Sequence, residues 1–85
     1  MQTDSAIIHQ GVTELSHAAS KIHMITGQMK SVVQETEKGN SSPKFRKCRQ
    51  RINEIVIKLD KTGNELFRVN QILQRLEYIV REMEE

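Results

Sequence analysis

The sequence predicts an all-α protein, an antiparallel two-helix hairpin, and three observations support this. Apolar residues recur every seven positions in each half of the 85-residue chain, a polar segment containing the one proline separates the halves, and there is no tryptophan and little other aromatic content. A seven-residue repeat keeps one face of a helix apolar over many turns, so a second helix must cover that face. A chain of this size forms one domain, 1–85, with a marginal core that favours a partner.

The first helix is predicted over about residues 5–37. Asp4 or Ser5 is the expected N-cap, because either side chain can accept hydrogen bonds from the first turn. The main apolar series is Ile8, Leu15, Ile22 and Met29. The second series expected to face the other helix is Ala18, Ile25 and Val32, with Val12, Ala19 and Val33 widening the apolar stripe.

The bend is predicted at residues 38–43. Gly39 suits a left-handed residue at the end of the first helix. Ser42 suits an N-cap and Pro43 the first residue of the second helix. Phe45 follows as the first apolar residue after the bend.

The second helix is predicted over about residues 43–83. Its main series is Phe45, Ile52, Leu59, Leu66, Leu73 and Val80. Its second series is Cys48, Ile55, Thr62, Val69, Leu76 and Met83, a placement that predicts a buried thiol at Cys48. Gly63 is the candidate break, but the main series passes it unshifted, which favours a continuous helix over a kink or a third helix.

The predicted helices differ in length, at roughly 60 Å for the second and less than about 50 Å for the first. The end of the second helix is therefore expected to extend beyond the first, and it is also strongly apolar. It predicts a partner interface, with two hairpins pairing into a four-helix bundle. The predicted interface residues are Leu66, Val69, Ile72, Leu73, Leu76, Ile79 and Val80.

The composition argues against several other classes of protein. No apolar run approaches the ~20 residues that cross a bilayer, and residues 1–5 lack the features of a signal peptide. A cytoplasmic protein is expected, with export without a cleaved signal peptide left open. One cysteine excludes an intrachain disulfide.

Neither a metal site nor an enzyme is predicted, and no cofactor. His9, His17 and His23 are separated by eight and six residues, whereas two ligands on one helical face need spacings of three or four. The sequence has no Gly-rich phosphate loop and no nucleophile elbow.

A basic patch follows the bend and comprises Lys44, Arg46, Lys47, Arg49 and Arg51. It contributes to a net charge of +3 over residues 43–85, against −1 over residues 1–42. Such a patch can neutralise phosphates or an acidic partner protein. It lacks interleaved aromatic residues for stacking on bases, so an acidic protein is favoured over nucleic acid.

Two local patterns resemble the small WXG-type helical-hairpin proteins of type VII secretion systems. Phe45 matches the aromatic residue after that family's bend, although Asn40 and Ser42 stand where the family has Trp and Gly. Tyr78 followed by Glu82 resembles the family's export signal, an aromatic residue with an acidic residue four positions later.

The departure at the bend resembles the divergent members that accompany larger LXG-type toxins. The resemblance implies a small export substrate or targeting partner that binds the helical N-terminal domain of such a toxin, with Tyr78 and Glu82 as the signal. The residues themselves leave two other classes open: a cytosolic chaperone or coiled-coil adaptor of another secretion or structural system, and a small nucleic-acid-binding dimer.

Overall fold

Two long helices make up the hairpin. The computed structural model describes residues 3–39 and 42–85. Helix α1 spans Asp4–Gly39 and helix α2 spans Pro43–Glu84, and no strand occurs in the described ranges. The helices pack side by side in a rod 64 Å long. The predicted all-α hairpin is confirmed.

The two helices run antiparallel with a constant register. Side chains that bond across the two helices have residue numbers that add to between 85 and 90, and the sum is 86 for His9 with Glu77 and for Ser16 with Asn70. A residue of α1 therefore lies level with the residue of α2 whose number completes that sum.

Thr3 caps α1. Its hydroxyl oxygen accepts a hydrogen bond from the backbone N–H of Ala6 at 3.2 Å, and its carbonyl accepts one from Ile7. The expectation that Asp4 or Ser5 would be the N-cap is wrong, because both are already helical and the Ser5 side chain bonds to α2 instead.

Ser42 caps α2, and Pro43 occupies its first turn, as predicted. The Ser42 hydroxyl accepts a hydrogen bond from the backbone N–H of Phe45 at 3.4 Å. Gly39 was expected in a left-handed conformation, but no described residue has a positive φ and Gly39 ends α1 with helical geometry. Residues 40 and 41 of the predicted bend lie outside the described ranges.

The helices meet along a seam in which partly or fully buried positions alternate at spacings of three and four. The main apolar series supplies half of the seam, and its predicted members are half-buried there, except Phe45, which is 41% exposed. Phe45 precedes the turn of α2 that contacts the end of α1, where Arg49 reaches the Thr36 carbonyl at 3.4 Å.

The other half of the seam differs from the prediction. The second series of each helix lies outside the seam. The row on the other flank of the main series faces the neighbouring helix instead. The inward rows are Ser5, Val12, Ala19, Thr26 and Val33 in α1, and Arg49, Val56, Gly63, Asn70 and Glu77 in α2. The predicted burial of Cys48, which belongs to the outer row, is wrong because its side chain is exposed.

Helix α2 continues through Gly63 without a break, which confirms the prediction of a continuous helix. Gly63 lies in the seam, where a methyl group added to it would lie 3.6 Å from the Ile22 side chain. That separation is an ordinary van der Waals contact, so the seam has room for a methyl group at this position.

Helix α1 covers α2 to its end. Ser5 donates from its backbone N–H and its hydroxyl to the carboxylate of Glu84, at 3.0 and 2.5 Å. The expectation that the last turns of α2 would extend beyond α1 is therefore wrong. Helix α2 has 42 residues against 36 in α1, and since Gly39 lies level with Lys47, residues 43–46 of the additional length lie at the bend.

Candidate functional site

A row of uncharged residues follows each helix just beside the seam, and the two rows together form what we call the side face. Its large members are well exposed, with Ile25 at 47%, Val69 at 45% and Leu76 at 44%. No residue of these rows between Gly11 and Val32 of α1 or between Cys48 and Met83 of α2 carries a charge, and Asp4 continues the α1 row in the first turn. The side face comprises Gly11, Ala18, Ile25 and Val32 of α1, and Cys48, Ile55, Thr62, Val69, Leu76 and Met83 of α2.

Both rows lie on the same side of the hairpin. Each row precedes an inward row by one residue, as Ile25 precedes Thr26 and Val69 precedes Asn70, so both are rotated in the same sense about their helix axes. Two antiparallel helices are related by an approximate two-fold axis that is perpendicular to the plane containing both helix axes. Rotation about that axis leaves each side of the plane in place, so equivalent rows of the two helices lie on the same side.

An ion pair on the opposite side is consistent with this geometry. Lys30 and Asp60 each follow an inward residue by four positions, and their side chains meet at 3.4 Å. The rows that contain Lys30 and Asp60 lie on the other flank of the seam, and they meet on the side of the hairpin opposite the side face.

Beside the side face, each helix carries an outer row, which we call its edge row. Ile72 and Ile79 lie in the α2 edge row and are 64% and 53% exposed, so the apolar surface broadens at the open end of the hairpin. The edge rows comprise Ile7, Glu14, Lys21, Gln28 and Glu35 of α1, and Lys44, Arg51, Lys58, Glu65, Ile72 and Ile79 of α2.

The predicted partner interface is divided between two surfaces. One group is half-buried in the seam against α1: Leu66, Leu73 and Val80. The other group is exposed on the side face and its edge: Val69, Ile72, Leu76 and Ile79. Sequence reasoning placed Ile25 and Val32 of α1 in the core and so missed them as members of the exposed surface.

Tyr78 and Glu82 are both exposed on the last turns of α2, with Tyr78 at 64%. The helix continues to Glu84, so the four-residue spacing brings the two side chains together on one side of it. Both point away from the side face. Tyr78 borders a shallow surface groove lined by Arg68, Gln71, Ile72, Gln74, Arg75 and Ile79.

Polar side chains interrupt the seam. The Asn70 side chain, 8% exposed, donates from Nδ2 to the Ser16 hydroxyl at 2.8 Å, while its buried Oδ1 atom has no hydrogen-bond partner among the described residues. A buried asparagine in a helical seam lowers stability but favours one register over others. The seven-residue spacing of Gly63, Asn70 and Glu77 is visible in the sequence, although the polar side chains of Asn70 and Glu77 argue against burial.

The open end of the hairpin is held by carboxylates of α2. Glu77, whose side chain is 14% exposed, bonds to His9 Nδ1 at 2.8 Å and to Arg81 at 3.0 Å. At the last turn, the hydroxyl and the backbone N–H of Ser5 hold the pKa of the Glu84 carboxyl below its ordinary value by hydrogen bonding to the charged form.

The basic patch has a structural component. Arg49 is half-buried and donates to the carbonyl of Thr36 in the last turn of α1, where a cation is favourable to the helix dipole. Lys44, Arg46, Lys47 and Arg51 are exposed. The antiparallel bend thus brings the basic start of α2 beside the negative end of α1.

Within residues 3–39 and 42–85, no group of three or more His, Cys, Asp or Glu side chains could hold a metal ion. Neither described helix combines the length and apolar character needed to span a membrane.

Comparison with known proteins gives no match, because no family model, no curated protein and no solved structure is significantly similar to this chain.

Proposed function

We propose that this hairpin is a protein-interaction module, a small type VII secretion partner that binds the helical N-terminal domain of a larger exported toxin. The observation that supports it is the side face, a surface without charged residues from Gly11 to Val32 of α1 and from Cys48 to Met83 of α2, which the chain's own fold leaves uncovered. The signal residues of this proposal are Tyr78 and Glu82.

The fold buries the less apolar flank of α2 and leaves the more apolar one outside. Asn70 and Glu77 face α1, while their neighbours Val69 and Leu76 face outward. Burying a large aliphatic side chain completely is worth roughly 1.5–3 kcal/mol, so several such residues along one row represent a considerable gain on association. A second protein surface provides that burial.

The shape of the side face favours a helical partner. Its residues keep the same seven-residue spacing as the seam, over a hairpin 64 Å long. Only another helix with that repeat can stay in contact with such a row over many turns, by inserting its side chains between those of the row. A helical domain of a larger protein meets this requirement.

Partner binding and signal reading can occur together. When a helix covers Val69 and Leu76, the side chains of Tyr78 and Glu82 still face solvent on another side of α2. An export ATPase or a second signal element could therefore contact the pair while the toxin domain is bound.

The signal is tested by secretion in a bacterium that carries a type VII system. Tyr78→Ala and Glu82→Gln should each remove the protein from the culture medium while circular dichroism still shows a folded helical protein in the cell extract. The matched control is Gln71→Ala, an exposed position two helical turns before Tyr78, which should be exported normally. Normal export of both signal variants would contradict the signal assignment.

The binding surface is tested by co-purification with a candidate toxin domain. Leu76→Glu should abolish the complex because it places a charge in the side face, and Gln74→Glu, on the opposite side of α2, should not. If the complex forms but neither this protein nor its partner is exported, an adaptor of another system would be favoured. Steeply salt-dependent binding to duplex or single-stranded DNA, lost on neutralising Lys47, would favour the nucleic-acid class.

A further inference from the structure

The edge rows of the two helices carry opposite charges at the same levels along the hairpin. Lys21 of α1 lies level with Glu65 of α2, and Glu35 lies level with Arg51, since both pairs of numbers add to 86. Within the hairpin these residues occupy opposite outer edges of the same face, so they cannot reach each other across the side face.

Two symmetric ways exist to place a second hairpin on the side face with full overlap. In the lengthwise arrangement the two-fold axis follows the long axis of the rod, the bends lie at the same end, and each α1 covers the partner's α2. In the crosswise arrangement the axis is perpendicular to the rod, the bends lie at opposite ends, and each helix covers its own counterpart.

The lengthwise arrangement pairs the edge rows by charge and by hydrophobicity. A residue of α1 then meets the partner residue at its own level, so Lys21 meets the partner's Glu65 and Glu35 meets the partner's Arg51. At the open end Ile7 meets the partner's Ile79. The two remaining levels, Gln28 with the partner's Lys58 and Glu14 with the partner's Ile72, bring no like charges together.

The crosswise arrangement does the opposite. The middle of each helix then lies on the axis, so Lys21 meets the partner's Lys21 and Glu65 meets the partner's Glu65. Ile7 falls against the partner's Glu35, and Ile79 against the partner's Arg51. Like charges and mismatched apolar residues both disfavour association.

We propose that a second copy of this chain covers the side face in the lengthwise arrangement, forming a four-helix bundle with both bends at one end. The proposal rests on the proposed function only in treating the side face as an interaction surface, and it names the occupant of that surface in the isolated protein. A heterologous helical domain would bind by replacing one copy.

The dimensions suit a stable dimer. The longer row of the side face, from Cys48 to Met83, extends over about 50 Å at 1.5 Å per residue, and the face is two helix diameters, roughly 20 Å, wide. Its area is on the order of 1,000 Å², compared with roughly 800 Å² per partner in a typical specific complex. On α2, the inward row that packs on α1 and the side-face row that would pack on the partner are about 100° apart around the helix axis. This is close to the right angle that a square bundle of four helices needs.

Cross-linking distinguishes the two arrangements. In a Cys48→Ser background, Ile7→Cys with Ile79→Cys should give a covalent dimer with a short bismaleimide, because the two sites meet only between lengthwise copies. The matched pair Ile7→Cys with Glu35→Cys should give none. A dimer from the second pair, or no dimer from the first, would overturn the proposal.

Charge exchange provides a second measurement by sedimentation equilibrium of the full chain. Lys21→Glu alone should weaken the dimer roughly tenfold, since the altered pair occurs twice per dimer. Lys21→Glu with Glu65→Lys should restore it, and Glu37→Lys on the opposite side should change little. In a crosswise dimer Lys21→Glu would replace one like pair by another, without weakening.

The two proposals fail separately. An unaltered protein that sediments as a monomer at micromolar concentration would overturn the second-copy proposal, whereas the export and co-purification experiments would still stand. Failure of export with an intact dimer would overturn the secretion role alone.

Discussion

Two rows of α2 flank its main series, and one of them is buried while the other is exposed. The row of Gly63, Asn70 and Glu77 lies inside against α1, while the row of Thr62, Val69 and Leu76 lies outside on the side face. The inner row is the more polar of the two. Hydrophobicity alone therefore did not choose the packing surface of the isolated hairpin.

Small residues and cross-helix hydrogen bonds favour the inner row. Gly63 leaves room beside the Ile22 side chain, and Thr26 on α1 tolerates burial to 2% exposure because its hydroxyl donates to the Ile22 carbonyl of its own helix at 2.7 Å. Asn70 and Glu77 find polar partners in Ser16 and His9. The outer row is then free to bind a surface that offers only apolar contacts.

The sharpest test of this difference compares one leucine from the seam with one from the side face. Leu66→Ala should lower the free energy of unfolding by about 2 kcal/mol, because it leaves a gap between the helices. Leu76→Ala should change it by less than about 0.5 kcal/mol, since its side chain is 44% exposed. Urea denaturation at concentrations that keep the chain monomeric measures both, and equal losses would contradict the assignment of the two rows.

Replacing the buried asparagine sharpens the role of the polar row. Asn70→Val should raise the free energy of unfolding by about 1 kcal/mol, because it removes a buried carbonyl oxygen without a partner and adds apolar contact. Asn64→Val, at an exposed position of the same helix, serves as the control and should have little effect. A loss of stability in Asn70→Val would show that the bond to Ser16 outweighs the unpaired oxygen.

The smallest expected change in stability comes from replacing Gly63, which tests the distance between the two helices at the middle of the seam. Gly63→Ala should stabilise the hairpin by about 0.5–1 kcal/mol, because alanine is the better helix former and its methyl group would lie at an ordinary contact distance from Ile22. Gly27→Ala, where nothing lies within 4 Å, provides the propensity gain alone. Thermal unfolding of the two variants is the measurement, and a destabilised Gly63→Ala beside a stabilised Gly27→Ala would mean that the helices lie closer than described.

Much of the fold could be predicted from local sequence signals. The main series from Ile52 to Val80 fixed one row of the seam, and Ser42 with Pro43 fixed the start of α2. Capping and periodicity depend on residues within a few positions of each other, so they can be interpreted without knowing what lies across the interface. The unbroken passage through Gly63 followed from the same periodicity.

The candidate site was only partly predictable. The sequence identified Val69 and Leu76 as members of a surface that needs a partner, but it explained their exposure by a difference in helix length. The contact of Ser5 with Glu84 shows that α1 reaches the end of α2. The exposure of Val69 and Leu76 arises from the rotation of α2 about its axis, and a rotation of α1 in the same sense adds Ile25 and Val32 to the surface.

The sequence by itself determined that two long helices form, where α2 begins and which series faces the neighbouring helix. Only the tertiary structure decided which flank of that series completes the seam. Each main series has a row on either flank with the same seven-residue spacing, and periodicity cannot distinguish which of the two packs inward. The choice depends on contacts between residues far apart in the chain, such as Asn70 with Ser16 and Glu77 with His9, and it determines which surface is left for a partner.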